Sequence, residues 1–368
     1  MKKKIVHLQV LPILSGVQKI TLNIFRNLDP DLYEMFLICA QSEDSDNPSL
    51  ISEAEKLGVK VIVLKDLKRE IGLHDLKVFF QLLKIFRKYD FDIIHTHSSK
   101  TGFLGRIVGK LSGCKAVIHT VHGIAFHDRE NFLNRNFYLI LEIFAGFFND
   151  EVILVNKYYQ SKFWFIPRKK IQTIYNGIDL EVLKRKRNRN DDLIKLIFVG
   201  RLDRPKALPD LIRAFEICVK ERNNIAAYIV GDGEYYDYLK EYIARQELGG
   251  KVKLLGWRFD VADLLADCDI FVGSSIYEAF GLVYCEAGYT GLPVVATRVE
   301  GIPEVILHNE TGLLVEPGNP EALAKAVLQI ADNGELAEAM GKAARRRVEE
   351  NFSLTEFIRQ YKEIYELY

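Results

Sequence analysis

Short β-branched runs alternate with helix-length segments along this chain, and the whole rhythm occurs twice. The first series of strand candidates is 5–10, 36–39, 59–64, 93–97, 116–120, 151–155 and 171–175; the second is 196–199, 226–230, 252–254, 270–272, 294–296 and 313–315. Apolar runs separated by helices are what a buried parallel sheet requires, because each crossover helix covers one sheet face. The expected fold is therefore α/β, with two doubly wound, Rossmann-like parallel-sheet domains. A chain of 368 residues also exceeds what one core supports, since cores stop growing near ~250–300 residues. Between the series, Asn176-Gly177-Ile178-Asp179 is a turn signal, and residues 184–192 are too polar to pack. The expected division is 1–178, 179–352 and a helix-like tail, 353–368, that packs back towards the first domain. Doubly wound sheets bind ligands beyond the carboxyl ends of their strands, so two of them facing each other would hold an active site in the cleft between.

Charge distribution distinguishes the two halves. Residues 1–190 carry 30 Lys+Arg against 20 Asp+Glu, and residues 191–368 carry the reverse, so a formal charge of zero hides a basic half and an acidic one. A basic half suits phosphates, an anionic membrane or nucleic acid. No helix-turn-helix, zinc-finger or RNP-like pattern accompanies it, which argues against nucleic acid. Two stretches, 76–89 and 157–170, mix aromatic rings with Lys and Arg as interfacial segments do, and Phe163-Trp164-Phe165 beside Arg168-Lys169-Lys170 is the stronger membrane candidate. The apolar run 137–148 is too short to span a bilayer, which needs ~20 residues. Five scattered cysteines without a C-x-x-C pair fit a reducing cytoplasm, and Met1-Lys2-Lys3-Lys4 leads into a strand-like run rather than a signal peptide.

One constellation carries chemistry. After strand 270–272 come Glu278-Ala279-Phe280-Gly281-Leu282 and, eight residues beyond the first glutamate, Glu286. If a helix starts near Phe280 or Gly281, its free N–H groups form an anion site, and Gly281 lets a phosphate approach the backbone. Glu286 suits a vicinal diol such as that of ribose. After strand 196–199 the loop Gly200-Arg201-Leu202-Asp203-Arg204-Pro205-Lys206 adds a guanidinium that forks onto phosphate and a point charge. Diphosphate plus ribose points to a nucleotide.

With these motifs in view, the chain resembles the retaining glycosyltransferases of the GT-B fold with an E-x7-E motif (glycosyltransferase family 4, group 1). The resemblance extends to Tyr175-Asn176-Gly177-Ile178-Asp179, Gly291-Leu292-Pro293-Val294-Val295-Ala296-Thr297 and Gly301-Ile302-Pro303-Glu304-Val305. Asp92-Ile93-Ile94-His95-Thr96-His97-Ser98-Ser99-Lys100 and His119-Thr120-Val121-His122-Gly123 resemble the subset that builds bacterial capsule and O-antigen polysaccharides. The resemblance implies a nucleotide-sugar donor in the second domain, an acceptor on the first, retained anomeric configuration and no metal; no cofactor is expected, and uridine is the expected nucleotide although no residue code names it.

It also implies roles by position. Arg201 and Lys206 would meet the donor diphosphate, Glu286 the ribose hydroxyls and Glu278 the donor sugar. The amides of Phe280, Gly281 and Leu282 would complete the phosphate cradle, Gly16 would meet the diphosphate from the first domain, and His122 would face the transferred sugar. Glu278, His122, Arg201 and Lys206 are thus the catalytic candidates. Gly233, in a partial dinucleotide-type turn, and Trp257-Arg258 would flank the base, while His97, Ser98, Lys100 and Arg106 are candidates for contact with an acceptor phosphate. Ser15, Ala207 and Ala279 stand where the family often has glycine. The expected partners are a lipid-diphosphate-linked saccharide and an anionic membrane surface, with the protein peripheral at its cytoplasmic face. Alternatives are a soluble-acceptor transferase, an epimerase or a nucleotide-sugar-binding subunit without turnover; a glycosidase has no use for a diphosphate loop. His95 and His97 alternate on one strand face without a neighbouring carboxylate or cysteine, so they are read as structural or acceptor-side rather than metal ligands.

Overall fold

The computed structural model describes residues 2–41, 49–184 and 192–368. Most of the polar boundary stretch, 185–191, lies outside these residues. The chain forms two compact units, one comprising Met1–Asn176 and Thr355–Tyr368, the other Gly177–Leu354. Every one of the thirteen candidate runs is a strand.

The first unit contains β1 (Lys3–Leu8), α1 (Gly16–Asn27), β2 (Tyr33–Ala40), α2 (Leu50–Lys56), β3 (Lys60–Leu64), α3 (His74–Tyr89) and β4 (Ile93–His97), followed by α4 (Ser99–Leu111), β5 (Ala116–Val121), α5 (Phe132–Gly146), β6 (Glu151–Leu154) and β7 (Ile171–Thr173). Its seven strands are parallel, in the order β3-β2-β1-β4-β5-β6-β7. On one sheet face Val6, Leu8, Phe36, Ile38 and Ile94 pack against Val78, Leu82 and Phe86 of α3 and Leu104 and Val108 of α4. The spacing of four along α3 puts its three buried residues on one stripe. Strand alternation sends His7, His95 and His97 to the opposite face.

The second unit contains β8 (Ile194–Val199), α6 (Leu208–Glu221), β9 (Ile225–Val230), α7 (Tyr236–Arg245), β10 (Val252–Gly256), α8 (Val261–Ala266), β11 (Ile270–Gly273), α9 (Leu282–Thr290), β12 (Val294–Thr297), α10 (Ile302–Val305), β13 (Gly312–Val315), α11 (Pro320–Ala331) and α12 (Gly334–Asn351). Its six strands are again parallel, ordered β10-β9-β8-β11-β12-β13. The core gathers Leu196 and Phe198 of β8, Leu211, Ile212, Phe215 and Val219 of α6, and Leu323, Val327 and Ile330 of α11. Asn319 and Asn333 cap α11 and α12 by accepting from the amides of Ala322 and Leu336.

The last helix, α13 (Leu354–Glu366), packs in the first unit, where the Tyr361 and Tyr365 hydroxyls reach Thr120 of β5 and His95 of β4. In each sheet the winding reverses between two adjacent but non-consecutive strands, β1 and β4 in the first and β8 and β11 in the second. Loops at those reversal points are where doubly wound sheets hold ligands.

Candidate active site

In the second unit the loops after β8 and β11 leave the sheet side by side. Ser274 donates its hydroxyl to the Lys206 carbonyl at 2.6 Å, and the Ile276 amide donates to the Pro205 carbonyl at 2.8 Å. These bonds staple the cationic loop to the glutamate loop and bring Lys206 into an ion pair with Glu278. Both side chains are largely buried, at 16% and 17% exposure. Burial alone would lower the lysine pKa, but the neighbouring Glu278 and Asp203 charges outweigh it and hold the ammonium above its ordinary value.

Arg201 stays mostly exposed and pairs with Asp203 at 2.9 Å. Burial raises the Asp203 carboxyl pKa, and its Oδ1 is buried without a hydrogen-bond partner. Ala207 closes the loop in the left-handed region at φ 46°, a conformation glycine adopts at less cost, which explains why a glycine is common there in the resembled family.

Helix α9 starts at Leu282, after Gly281 at φ 77°. A Cβ at Gly281 would sit 2.4 Å from the Tyr284 ring, so only glycine fits this turn. In the first turn of α9 the Tyr284 amide donates to the Gly281 carbonyl at 3.0 Å, while the Leu282 and Val283 amides lack intrahelical acceptors and form an anion-attracting end shortly after Glu278. Glu286 lies half-buried in the second turn, as the spacing predicts. Phe280 is buried against Phe352, so of this segment only its backbone is offered to a ligand.

The loops after β9 and β10 flank the same end of the sheet. The Leu202 amide donates to the Asp232 carbonyl and the Gly231 amide to the Gly256 carbonyl, each at 2.8 Å. Gly233 has φ 150°, and a Cβ there would lie 2.6 Å from the Leu202 carbonyl oxygen. Trp257, directly after β10, is 53% exposed and offers an open aromatic face for a base. Arg258 is held by Asp260 at 2.8 Å.

In the first unit Gly16 begins α1 after β1 and is exposed. His122 follows β5 directly, half-buried, with Nε2 at 3.0 Å from Nδ1 of His97. Burial pushes its pKa down to about 4, so it is neutral near pH 7. Ser98 sits at φ 62° with its hydroxyl 3.1 Å from that of Thr101.

Three acceptor-side expectations need correction. Arg106 is fully buried, forked onto Glu142 at 2.7 and 3.0 Å and bonded to Asn149 and the Gly102 carbonyl, so its guanidinium is turned into the core and away from a phosphate at the surface. Lys100 is 9% exposed and paired with Asp75 at 2.6 Å. His97 is fully buried behind His122 rather than facing an acceptor. Sequence reading placed these groups by their position after a strand, which fixes neither the direction of a long side chain nor its partner. It also passed over Asp203 and Ser274, which hold the cationic loop, and His7 and Tyr365, which carry no motif.

The profile described as "Glycosyl transferases group 1" matches residues 179–347, and that described as "Glycosyltransferase Family 4" matches 14–182. Over 382 residues the chain is 32% identical to UDP-Gal:alpha-D-GlcNAc-diphosphoundecaprenol alpha-1,3-galactosyltransferase of Escherichia coli, covering 99% of this chain and 97% of that protein. It is 35% identical over 207 residues to N-acetyl-alpha-D-glucosaminyl L-malate synthase of Bacillus anthracis, 54% of each chain. Among solved structures, Anabaena Alr3699/HepE in complex with UDP and glucose superposes with a TM-score of 0.83 at 22% identity, covering 99% of both chains.

Proposed function

Because the chain belongs to the group 1, family 4 glycosyltransferases, we propose that it moves a hexose or N-acetylhexosamine from a uridine diphosphate sugar to a hydroxyl of a lipid-linked or growing polysaccharide acceptor. The observation that carries this reading is the Lys206–Glu278 pair at the open N-terminus of α9, with Arg201 on the stapled loop. Cleavage of the sugar–phosphate bond adds negative charge to the departing nucleotide. Arg201, Lys206 and the α9 amides stabilise that charge, so no metal ion is needed. In this reading Glu278 neutralises Lys206 and serves the donor sugar, His122 serves the transferred sugar and Gly16 the diphosphate. Attack on the same face as the departing phosphate, which takes the acceptor proton, retains configuration. The relative that aligns over nearly the whole chain carries UDP-galactose and a diphosphoundecaprenol acceptor in its name, which supports a uridine donor and a lipid-diphosphate acceptor. A malate-type soluble acceptor is the second reading, favoured by the half-length match to the glucosaminyl malate synthase.

Thermal unfolding tests the donor. UDP at about a hundred times its dissociation constant adds ~2.7 kcal/mol of stability. The expected result is a shift with UDP and not with GDP or ADP, lost in Arg201→Ala. A UDP shift unchanged in that variant would refute the assignment.

The membrane partner rests on α5. Leu133, Phe137, Ile140 and Phe144 line one stripe of it at 79%, 49%, 64% and 50% exposure, continued by Phe147 at its C-cap at 77%, while Glu142 on the opposite face is drawn inward by Arg106. Trp164 is 71% exposed, and Arg168 and Lys169 are exposed close by in sequence. Among the described residues no helix is long and apolar enough to cross a membrane. An outward apolar stripe with a tryptophan and cations suits a helix lying in the interface of an anionic bilayer, and we read the protein as peripheral there. Phe137→Ser with Phe144→Ser should weaken co-sedimentation with vesicles containing anionic lipid by about tenfold, given ~1.5–3 kcal/mol per fully buried side chain and partial insertion here. Binding that ignored both these changes and added salt would sink the idea.

A further inference from the structure

Six hydrogen bonds link seven side chains of the first unit into one unbranched ladder. His122 Nε2 meets His97 Nδ1 at 3.0 Å, and His97 Nε2 meets His7 Nδ1 at 2.9 Å. His7 Nε2 meets the Tyr365 hydroxyl at 3.2 Å, which in turn meets His95 Nδ1 at 2.6 Å. His95 Nε2 meets the Thr120 hydroxyl at 2.7 Å, and the Tyr361 hydroxyl ends the ladder 3.0 Å from Thr120. The sheet register builds it: His7 lies across from His95, His97 across from Thr120, and the two-residue spacings 95/97 and 120/122 keep each pair on one face.

The proton directions follow from donor counting. His7, His95 and His97 are fully buried, and burial holds their pKa values far down, to about 3 for His7. Each is therefore neutral, with one N–H and one lone pair. Tyr365 has a single O–H for two imidazole neighbours, so it donates to one and accepts from the other. From His122 to His95 all donors must then point the same way, which leaves two directions for that stretch. If they point away from His122, His95 donates to Thr120, and the Thr120 and Tyr361 hydroxyls then have one hydrogen bond between them for two O–H groups, so one of the two O–H groups has no acceptor. Tyr361 is buried with Thr120 as its one hydrogen-bond partner among the described residues, and a buried unsatisfied O–H costs about 1–3 kcal/mol. If they point towards His122, every group is satisfied: Tyr361 donates to Thr120, Thr120 to His95, His95 to Tyr365, Tyr365 to His7, His7 to His97, and His97 to Nε2 of His122.

We propose that this ladder presents His122 as a neutral hydrogen-bond donor at Nδ1, with Tyr361 and Tyr365 of α13 as the positioning residues that set its tautomer. The Nδ1 of His122 has no partner among the described residues and is the nitrogen open to a ligand. In the reaction it donates to an oxygen of the transferred sugar and does not serve as a base; this functional half rests on the assignment of His122 to the sugar made above. Three buried imidazoles with nitrogens within 4.8 Å of one another also have the composition of a metal site. Here each of those nitrogens is already in a hydrogen bond, so a metal would have to dismantle the ladder.

Long-range 1H–15N spectra of protein labelled at histidine nitrogen test the proposal on the full chain. His122 should show the Nδ1–H tautomer, and His7, His95 and His97 one neutral tautomer each. Tyr365→Phe keeps the ring but removes the shared hydroxyl, and should give His122 a mixed pattern although two imidazoles intervene. Tyr361→Phe removes the terminal donor and should move His122 in the same direction. With UDP binding intact, kcat in Tyr365→Phe should fall about tenfold at nearly constant donor KM. An Nε2–H tautomer in the native protein, His122 signals unchanged in both folded variants, or stoichiometric zinc in the purified protein would overturn the ladder. Normal turnover in His122→Gln with the spectra as expected would instead refute the sugar assignment and leave the ladder standing.

Discussion

Replacing Lys206 by alanine should lower kcat for sugar transfer by about 10²–10³, the usual cost of removing one preorganised group that stabilises transition-state charge. The effect follows from its position. Lys206 is nearly buried, its ammonium is held charged by Glu278, and its loop is stapled to the β11–α9 connection by Ser274 and Ile276. A charge fixed in a poorly solvated place costs little to reorganise when the leaving phosphate develops its own. Donor KM should change much less than kcat, and Lys206→Arg, which keeps the charge but not the compact ammonium, should recover only part of the loss. Single-turnover measurement with radiolabelled UDP-sugar separates the two parameters. A fall of less than threefold in kcat would remove Lys206 from the catalytic set, and loss of turnover on adding EDTA would show that a metal carries the charge instead.

The largest stability effect is expected at Glu142. Removing its carboxylate in Glu142→Ala leaves the Arg106 guanidinium fully buried with only Asn149 and the Gly102 carbonyl as partners, a change that costs about 3–5 kcal/mol. Replacing both residues by apolar side chains, Arg106→Met with Glu142→Leu, should restore most of the loss, because the penalty belongs to the uncompensated charge rather than to the missing attraction. Urea denaturation followed by circular dichroism reads both. If the double variant were as unstable as the single one, the pair would be contributing directly rather than merely being mutually compensated. The pair also settles the rotation of α5: with Glu142 drawn inward, Phe137, Ile140 and Phe144 face outward.

Legibility differed between the two kinds of site residue. Glu278, Gly281 and Glu286 could be placed from spacing alone, because a strand followed by a glycine turn and a helix fixes the backbone path, and α9 begins at Leu282 where that path requires. The cationic loop was likewise readable, though its ion pair with Glu278 was not. Lys100 and Arg106 were misread for the complementary reason. Lys100 lies in the first turn of α4 and Arg106 two turns in, but Asp75 of α3 and Glu142 of α5, 25 and 36 residues away in sequence, decide where their charges go.

By itself the sequence determined the secondary structure, the two parallel sheets and the loops that carry the phosphate chemistry, since all of these depend on local periodicity and turn residues. Only the tertiary structure decided which cations remain open, which face α5 turns outward, and that His7, His95, His97 and His122 share one hydrogen-bonded line with Tyr361 and Tyr365. Those outcomes depend on register between strands and on the return of α13 to the first unit, and on side chains up to 358 residues apart competing for the same buried partners. Local pattern carries no information about such pairings, because the free energy that selects them arises only when the groups have left water together.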